Sequence, residues 1–372
     1  MFGKNRPSTT GAAAAAAPAK QPSQVLGLSG DGSQKPSPAT AAEAPPSNAP
    51  AVQAAQTLLS QLQIADARPA IEAIEHARGS KLMCLTYNDL PPTLGLTPGV
   101  IPTVEAALSN IGKVPKLDLL LRTQGGISET SWRIVCLLRE FTEELGVIVS
   151  HFALSAGTHV ALAADDLVMG PFATLSSVDP TRLHALLPRD TVTNKPIPAS
   201  VQDLKQCVQF IREQLGEAYS QQNLALIISE LFRYVNPLAL GALEQSYNLA
   251  KLITRKVLNA RKSKLPEEQV EKIVELLSGK FFSHSLQLSR TEVETELGLA
   301  VTRPDDSLEA LITEFEGLYL KESLKILPAP ANPKEQLLRV GALLQTAGSG
   351  WAIAHSFKLD GTHVSDPWVK FR

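Results

Sequence analysis

The chain has 372 residues, 44% hydrophobic content and a formal net charge of -2, which suits a globular protein of about two domains. The near-neutral charge and the lack of any block of Lys and Arg argue against a nucleic-acid-binding surface. The sequence contains no run of about eighteen apolar residues, the length needed to span a bilayer, so membrane association is not predicted either.

The first region of the chain is a low-complexity tail. Residues 1–50 are rich in Ala, Pro, Ser and Gln and cannot bury enough apolar surface to order themselves, so we expect a disordered segment. The three cysteines are widely spaced and odd in number, which is typical of a reducing compartment. The sequence therefore predicts a cytoplasmic protein that carries no membrane anchor.

Strand and helix patterns alternate over residues 51–235. Such alternation predicts an α/β fold, with a mostly parallel sheet and helices on both faces. The predicted helices are residues 51–64, 67–78, 101–111, 130–145 and 201–220, and the predicted strands are residues 81–87, 117–121, 147–152 and 167–169.

The pattern turns helical after about residue 200, and we interpret residues 236–330 as a helical extension that carries the His284 segment. Its predicted helices are residues 238–260, 267–277, 291–297 and 308–321. We expect a C-terminal helix and a small β-hairpin over residues 331–372, with the hairpin turn at Asp360-Gly361.

Ser155 lies where the strand at 147–152 turns into a helix rich in small residues. The first N–H groups of a helix and its dipole stabilise negative charge, so this serine is the best candidate for a nucleophile. The plainer interpretation is a serine that only caps a helix.

A glycine pair, Gly125-Gly126, follows the preceding predicted strand. Parallel strands bring their carboxyl ends to one edge of a sheet, so the N–H groups of Gly126 and Ala156 could form an oxyanion hole beside Ser155. Gly125 and Gly126 lack side chains, which lets the backbone approach a substrate carbonyl.

A serine nucleophile also needs a base. His184 and His284 both lie in predicted loops and are the better histidine candidates, whereas His159 falls on a packed helix. Lys205 is an alternative base, because Ser/Lys dyads exist. Asp179, after the next strand, could orient a histidine.

These residues carry a resemblance to a known family. The Gly-Gly pair, Ala153-Leu-Ser-Ala-Gly-Thr158, the Ala-Leu-Ala-Ala-Asp and Val-Met-Gly-Pro segments and Val178-Asp-Pro180 resemble the Clp protease and crotonase-like superfamily. Within it, the chain is most similar to the serine dehydrogenase proteinase family, related to signal peptide peptidase A. The segment from Ser283-His284 to Leu297-Gly-Leu299 adds to the similarity, which runs from about residue 65 to 302.

The resemblance implies a crotonase-like core of repeated ββα units over residues 51–235 and a serine peptidase acting on peptide or protein substrates. It implies a triad of Ser155 as nucleophile, Asp179 as orienting carboxylate and His284 as base, in a homo-oligomer without metal or cofactor. Two positions depart from the family pattern: Gln124 stands where relatives have Pro, and Ser285 where they commonly have an acidic residue. Many relatives also have an amino-terminal membrane anchor.

Two other functions fit the same fold. A catalytically silent relative would serve as a binding or assembly module, which the changes at Gln124 and Ser285 favour. An enzyme of acyl-CoA chemistry would use the glycine amides to hold a thioester oxygen, but it would not need a serine at position 155.

Overall fold

The computed structural model describes residues 64–91, 93–181, 184–216, 220–280, 286–328, 334–359, 363–365 and 368–372. The predicted tail and most of the first predicted helix lie outside these ranges. His284 also lies outside them.

The described helices and strands follow the predicted alternation through the first half of the chain. The helices are α1 Arg68–Arg78, α2 Ile101–Ile111, α3 Ser128–Phe141, α4 Ala156–Leu162, α5 Val201–Leu215, α6 Gln221–Tyr234, α7 Pro237–Asn259, α8 Glu267–Glu275, α9 Arg290–Thr295 and α10 Asp306–Ser323. The strands are β1 Lys81–Tyr87, β2 Val114–Thr123, β3 Thr142–Ala153, β4 Asp166–Met169, β5 Thr174–Ser176, β6 Gln287–Ser289, β7 Ile326–Pro328, β8 Gln336–Gln345, β9 Gly350–Lys358, β10 His363–Ser365 and β11 Trp368–Lys370.

One sheet contains all eleven strands of the described residues. Eight of them follow the order β10-β9-β8-β1-β2-β3-β5-β6, and β11, β4 and β7 pair with β9, β3 and β8 beside this path. Its centre is parallel, as predicted: β1 pairs with β2, β2 with β3, and β3 with both β4 and β5. The register pairs Thr123 at the end of β2 with Ala153 at the end of β3. The two loops that carry the glycine pair and Ser155 therefore leave the sheet at the same edge.

Helices cover both faces of this sheet. Alternate side chains of β2 point to opposite sides, so Leu119 and Leu121 join the core under α2, α3 and α4, whereas Leu120 joins a second core under α1 and α10. Both layers exclude solvent from the central strands, which explains why their sequences are nearly continuous apolar runs.

The predicted helical extension shares the main core. Val257 of α7 and Ile273 of α8 are fully buried in the same cluster as Leu121 and Val149 of the sheet. Residues 51–235 and 236–330 thus pack around common apolar side chains over their described parts. In those parts, no single helix is long and apolar enough to cross a membrane, although the bent pair Ala225–Tyr234 and Pro237–Asn259 passes by length and composition alone.

The C-terminal region differs from the prediction. The helix expected within residues 331–372 is wrong, because β8 occupies Gln336–Gln345 and pairs antiparallel with both β1 and β9. Its apolar residues are buried on both faces of the sheet. A continuous apolar run of this kind shows no alternation of apolar and polar residues, so its sequence does not distinguish a strand from a helix. The predicted hairpin strands are present as β9, β10 and β11, but Asp360 and Gly361 lie outside the described residues.

One predicted boundary and three short elements also differ from the structure. The helix predicted over residues 130–145 ends at Phe141, and β3 begins at the next residue. Helix α6 and the short strands β5 and β6 are absent from the prediction. Strands of three residues are too short for an alternating pattern to be detected.

Gly146 of β3 is required by a buried ion pair. A Cβ added there would lie 1.9 Å from Asp118 Oδ1, and the Asp118 carboxylate accepts hydrogen bonds from Arg78 Nε and Ser80 Oγ, each at 2.8 Å. We expect Gly146→Ala to lower the free energy of unfolding by about 3 kcal/mol, because overpacking displaces a paired buried charge. Urea denaturation measures this change.

Gly317 is the matched control. It lies inside α10, and an added Cβ there meets nothing within 4 Å. Gly317→Ala should raise the free energy of unfolding by up to about 1 kcal/mol through helix propensity. Equal effects of the two substitutions would contradict the steric argument.

Candidate active site

Ser155 occupies a strained turn between β3 and α4. Its φ is 51° and its ψ is -114°, a backbone conformation that residues other than glycine rarely adopt. Among the described residues, Asn194 is the only other non-glycine residue with positive φ. Strain of this kind, which costs about 1–3 kcal/mol, persists only where the surrounding structure imposes it.

The Ser155 hydroxyl does not cap the helix that follows it. Ser155 stands at the N-cap position of α4, yet its side chain makes no capping hydrogen bond. Ser200, Ser220 and Ser289 cap α5, α6 and α9 with φ between -127° and -66°, and each accepts a hydrogen bond from a backbone N–H. The cap interpretation of Ser155 is therefore not supported, and its hydroxyl is left for another use.

Two neighbouring strands hold this turn, which we call the elbow (residues 154–157). The Ser155 N–H donates to Ser176 Oγ at 2.8 Å, and the Ser176 N–H donates to Thr158 Oγ1 at 3.0 Å. The Leu154 N–H donates to Thr123 O at 2.9 Å, which ties the elbow to the end of β2. Strands β2 and β5 thus fix the backbone on both sides of Ser155.

The glycine pair lies directly against the elbow. Gly125 and Gly126 have φ of 110° and 143°, which glycine alone adopts readily. A Cβ added at Gly125 would lie 2.8 Å from Ser155 Cβ and 3.3 Å from Ala156 N, and one at Gly126 would lie 2.4 Å from Leu96 N and O. A side chain at Gly125 would push the glycine loop (residues 124–127) away from Ser155, and one at Gly126 would push it away from Leu96.

Two backbone N–H groups beside Ser155 have no acceptor among the described residues. The Gly125 N–H donates to Thr123 Oγ1, and the Ile127 N–H donates to Leu96 O. The N–H groups of Gly126 and Ala156 are left without a partner in the described part of the chain. Unpaired donors close to a nucleophile are the elements of an oxyanion hole.

A cleft of about 520 Å³ opens next to the glycine loop. Its walls are residues 126–129, residues 180–181 after β5, and Gln245, Ser246 and Leu249 of α7. This volume lies in the range of small-molecule and side-chain binding pockets. Gly126 belongs to the wall, so a group bound in the cleft would contact the loop that carries the unpaired N–H.

Asp179 follows β5 and is almost completely buried. Burial raises the pKa of its carboxyl from 3.8 to about 6; a hydrogen bond from the Ser200 side chain and the charge of Lys205 lower it, and the charge of Asp203 raises it. Its Oδ1 has no hydrogen-bond donor among the described residues. This oxygen could accept one more hydrogen bond, as an orienting carboxylate does.

None of the three candidate bases forms a described contact with Ser155. His284 lies outside the described residues. His184 accepts a hydrogen bond from the Leu186 N–H at its Nδ1, and Lys205 Nζ lies 4.1 Å from the centroid of the Tyr247 ring. Neither group forms a described hydrogen bond to the Ser155 hydroxyl.

His159 has a structural environment. Its side chain is fully buried, its Nε2 lies 3.0 Å from Thr254 Oγ1, and burial lowers its pKa to about 3. It joins α4 to α7 as a neutral ring, which agrees with its predicted place on a packed helix.

Arg122 is a buried charge that sequence reasoning missed. It directly precedes Thr123, donates to Glu316 Oε2 and Asp89 Oδ2 at 3.0 Å each, and stacks 4.5 Å above the Phe152 ring. It thereby links the ends of β2 and β3 on the face opposite α4. The sequence does show a charged residue at the end of an apolar strand, which is a sign of a buried ion pair. The partners of Arg122 could not be identified from it, because they lie far away in the sequence.

The geometry defines a class: an α/β protein whose parallel sheet presents a strained serine, a glycine loop and unpaired N–H groups at one edge. Residues 56–194 match the model of the ClpP-like SDH-type serine proteinase family. The resemblance to that family seen in the sequence is confirmed over this stretch, which includes Ser155, Asp179 and the glycine pair.

Two curated relatives are uncharacterised proteins of Methanocaldococcus jannaschii. One is 26% identical over 71% of this chain and 82% of its own length, and the other is 27% identical over 68% and 77%. A membrane-bound stomatin-specific protease, 1510-N, solved with a substrate peptide, matches 58% of this chain and 74% of its own at 14% identity, with a TM-score of 0.34. ClpP1 from Listeria monocytogenes matches 64% and 96% at 12% identity, with a TM-score of 0.33.

The strain at Ser155 predicts an unusual order of stabilities. We expect Ser155→Gly to raise the free energy of unfolding by about 1 kcal/mol, because relief of strain outweighs the entropy that glycine loses on folding. Ser155→Ala should change it by less than about 0.5 kcal/mol, since no capping bond is lost. Ser220→Ala, which removes a true cap, should lower it by about 1 kcal/mol. Urea denaturation compares the three variants, and a similar loss in both alanine variants would contradict the geometry.

The raised pKa of Asp179 predicts a stability that depends on pH. Between pH 4 and 6 the folded protein keeps a proton on Asp179 that the unfolded chain releases, so stability falls as pH rises through this range. Asp179→Asn should remove that fall and therefore stabilise the protein more at pH 7.5 than at pH 4. Asp306→Asn, at an exposed position of α10, is the control for urea titrations at both pH values. An Asp179→Asn effect equal at both pH values would contradict the assignment.

Proposed function

We propose that this protein is a serine peptidase that cleaves peptide or protein substrates through an acyl-enzyme at Ser155. The observation that carries the proposal is the strained backbone of Ser155, whose hydroxyl caps no helix. Maintaining strain at a serine that makes no structural hydrogen bond is typical of a nucleophile on a strand-to-helix turn.

In the proposed reaction, the Ser155 oxygen attacks the substrate carbonyl while the base takes the hydroxyl proton. The N–H groups of Gly126 and Ala156 hold the oxyanion of the tetrahedral intermediate. The base then protonates the amine as the C–N bond breaks, which leaves the acyl group on Ser155. Water attacks this ester by the same route and releases the acid.

We assign the base to His284, with Asp179 as its orienting carboxylate. The antiparallel register pairs Gln287 of β6 with Ser176 of β5. His284 precedes Gln287 by three residues, and Asp179 follows Ser176 by three. His284 itself lies outside the described residues, and the register brings the strand that follows it, Gln287–Ser289, beside the strand that leads to Asp179.

The unsatisfied oxygen of Asp179 supports the same assignment. A buried carboxylate oxygen without a donor costs free energy, and a histidine N–H would supply the missing hydrogen bond. His184 and Lys205 are weaker alternatives, because each has a different contact in the structure: the Leu186 N–H for His184 and the Tyr247 ring for Lys205.

Self-association is part of the proposal. Helices α5, α6 and α7 present large apolar side chains to solvent, each more than 60% exposed: Phe210, Leu226, Tyr234 and Leu238. Exposed apolar groups at this density are typical of protein–protein contacts. A homo-oligomer that covers them is the arrangement we propose.

Labelling with a fluorophosphonate tests the nucleophile and the base together. We expect the wild-type protein to form a covalent adduct that is absent in Ser155→Ala, since the phosphorus is attacked by the activated serine oxygen. His284→Ala should slow the labelling by a hundredfold or more, on the order of a lost general base. Intact-protein mass spectrometry measures adduct formation over time.

Ser220→Ala is the matched control, because it removes a serine hydroxyl from another helix start and should label like wild type. Folding of each variant is checked by circular dichroism. A folded wild-type protein that forms no adduct at Ser155 would instead support a catalytically silent binding or assembly module. Unchanged labelling of His284→Ala would overturn the assignment of the base alone.

A further inference from the structure

We propose that the cleft beside the glycine loop binds a cationic group of the peptide substrate through Glu129. This inference deepens the proposed peptidase function and rests on it. The cationic group is a lysine or arginine side chain, or the substrate's own amino terminus, and the two share the chemistry that the cleft would recognise.

Glu129 is the charged residue of the cleft wall. It lies in the first turn of α3, is exposed to solvent and forms no ion pair with any described residue. By contrast, Arg133 on the same helix pairs with Glu105 at 3.2 Å. Glu129 therefore lines the cleft without a partner cation among the described residues.

The remaining wall adds hydrogen-bond acceptors and one apolar contact. The side chains of Ser128, Thr181, Gln245 and Ser246 carry oxygens that can accept hydrogen bonds, and Leu249 can pack against an aliphatic stem. A lysine side chain combines an aliphatic stem with an ammonium group that only donates hydrogen bonds. The wall of the cleft thus matches both parts of such a side chain.

Among the described residues, no lysine or arginine belongs to the cleft wall. The ammonium groups of Lys205 and Lys251 lie 4.1 and 5.5 Å from the centroid of the Tyr247 ring. Neither lysine belongs to the cleft wall. Glu129 is thus the charged side chain that the described cleft wall offers to a bound group.

The cleft is also in the right place to act on substrate choice. Gly126 carries the unpaired N–H assigned to the oxyanion hole and forms part of the same wall as Glu129. A substrate whose carbonyl is held at Gly126 would have its neighbouring groups within reach of the cleft. Glu129 would then select among substrates without taking part in the chemical step.

Peptidyl diphenyl phosphonates test this inference through the rate of Ser155 modification. The serine oxygen attacks phosphorus and phenoxide leaves, so the rate reports binding and attack without requiring a known cleavage sequence. The probes are tripeptides that differ at one position, which holds Lys, norleucine or Glu, and each is made with a free or an acetylated amino terminus. Lys and norleucine have nearly the same stem and differ in charge.

We expect the wild-type protein to react about twofold to fivefold faster with a Lys probe than with its norleucine partner, the range given by one partly exposed ion pair. Glu129→Gln should bring that ratio close to one, and Glu129→Lys should favour the Glu probe. Glu140→Gln, an exposed change on the same helix outside the cleft, is the control and should keep the wild-type ratio.

The arms of the experiment separate the two sources of the cation. A preference that persists with acetylated probes identifies a side chain, and one that disappears on acetylation identifies the amino terminus. A wild-type ratio of one, or a ratio that Glu129→Lys leaves unchanged, overturns the inference and leaves the nucleophile intact. If Glu129 served only to stabilise the start of α3, its variants would change the midpoint of unfolding but not the ratio. Absence of any adduct with every probe would instead reject the peptidase proposal itself.

Discussion

The candidate site depends on one backbone conformation, the positive φ of Ser155 at the end of β3. A serine relaxes out of this conformation unless its neighbours prevent it. The end of β2 holds Leu154, the hydroxyl of Ser176 holds the Ser155 N–H, and Gly125 fills the space beside the turn. Three segments distant in sequence must therefore meet before the serine has the geometry of a nucleophile.

The two edges of the parallel sheet differ in how completely their polar groups are paired. Toward the start of β2 and β4, Arg78 bridges Asp118 and Asp166, and Ser80 and Thr302 complete the network. At the opposite edge, the Gly126 and Ala156 N–H groups and Asp179 Oδ1 lack described partners. Groups available for a ligand are therefore found at the edge that carries Ser155, beside the paired Arg122.

Local signals explain what the sequence could predict. The turn at Ser155, the glycine pair and the alternation of strands and helices are all encoded by neighbouring residues, and these predictions agree with the structure. The hydroxyls of Ser176 and Thr158 and the contacts of Arg122 could not be predicted, because their function depends on partners brought together by the fold. Strand β8 was misjudged for a similar reason: burial on both faces removes the polar alternation that would have identified it.

The pairing of β1 with β8 has a consequence for how the chain reaches this structure. Asn88, just after β1, donates from its side chain to Val340 O across 252 residues of sequence, and β8 covers the edge of β1 from Cys84 to Tyr87. During synthesis, that edge of the sheet keeps open N–H and C=O groups until residue 345 has left the ribosome. The centre of the sheet can assemble early from neighbouring segments, but the pairing of β8 with β1 is a late step. Until then the unpaired strand β1 can aggregate with other chains, and a chaperone would have to shield it.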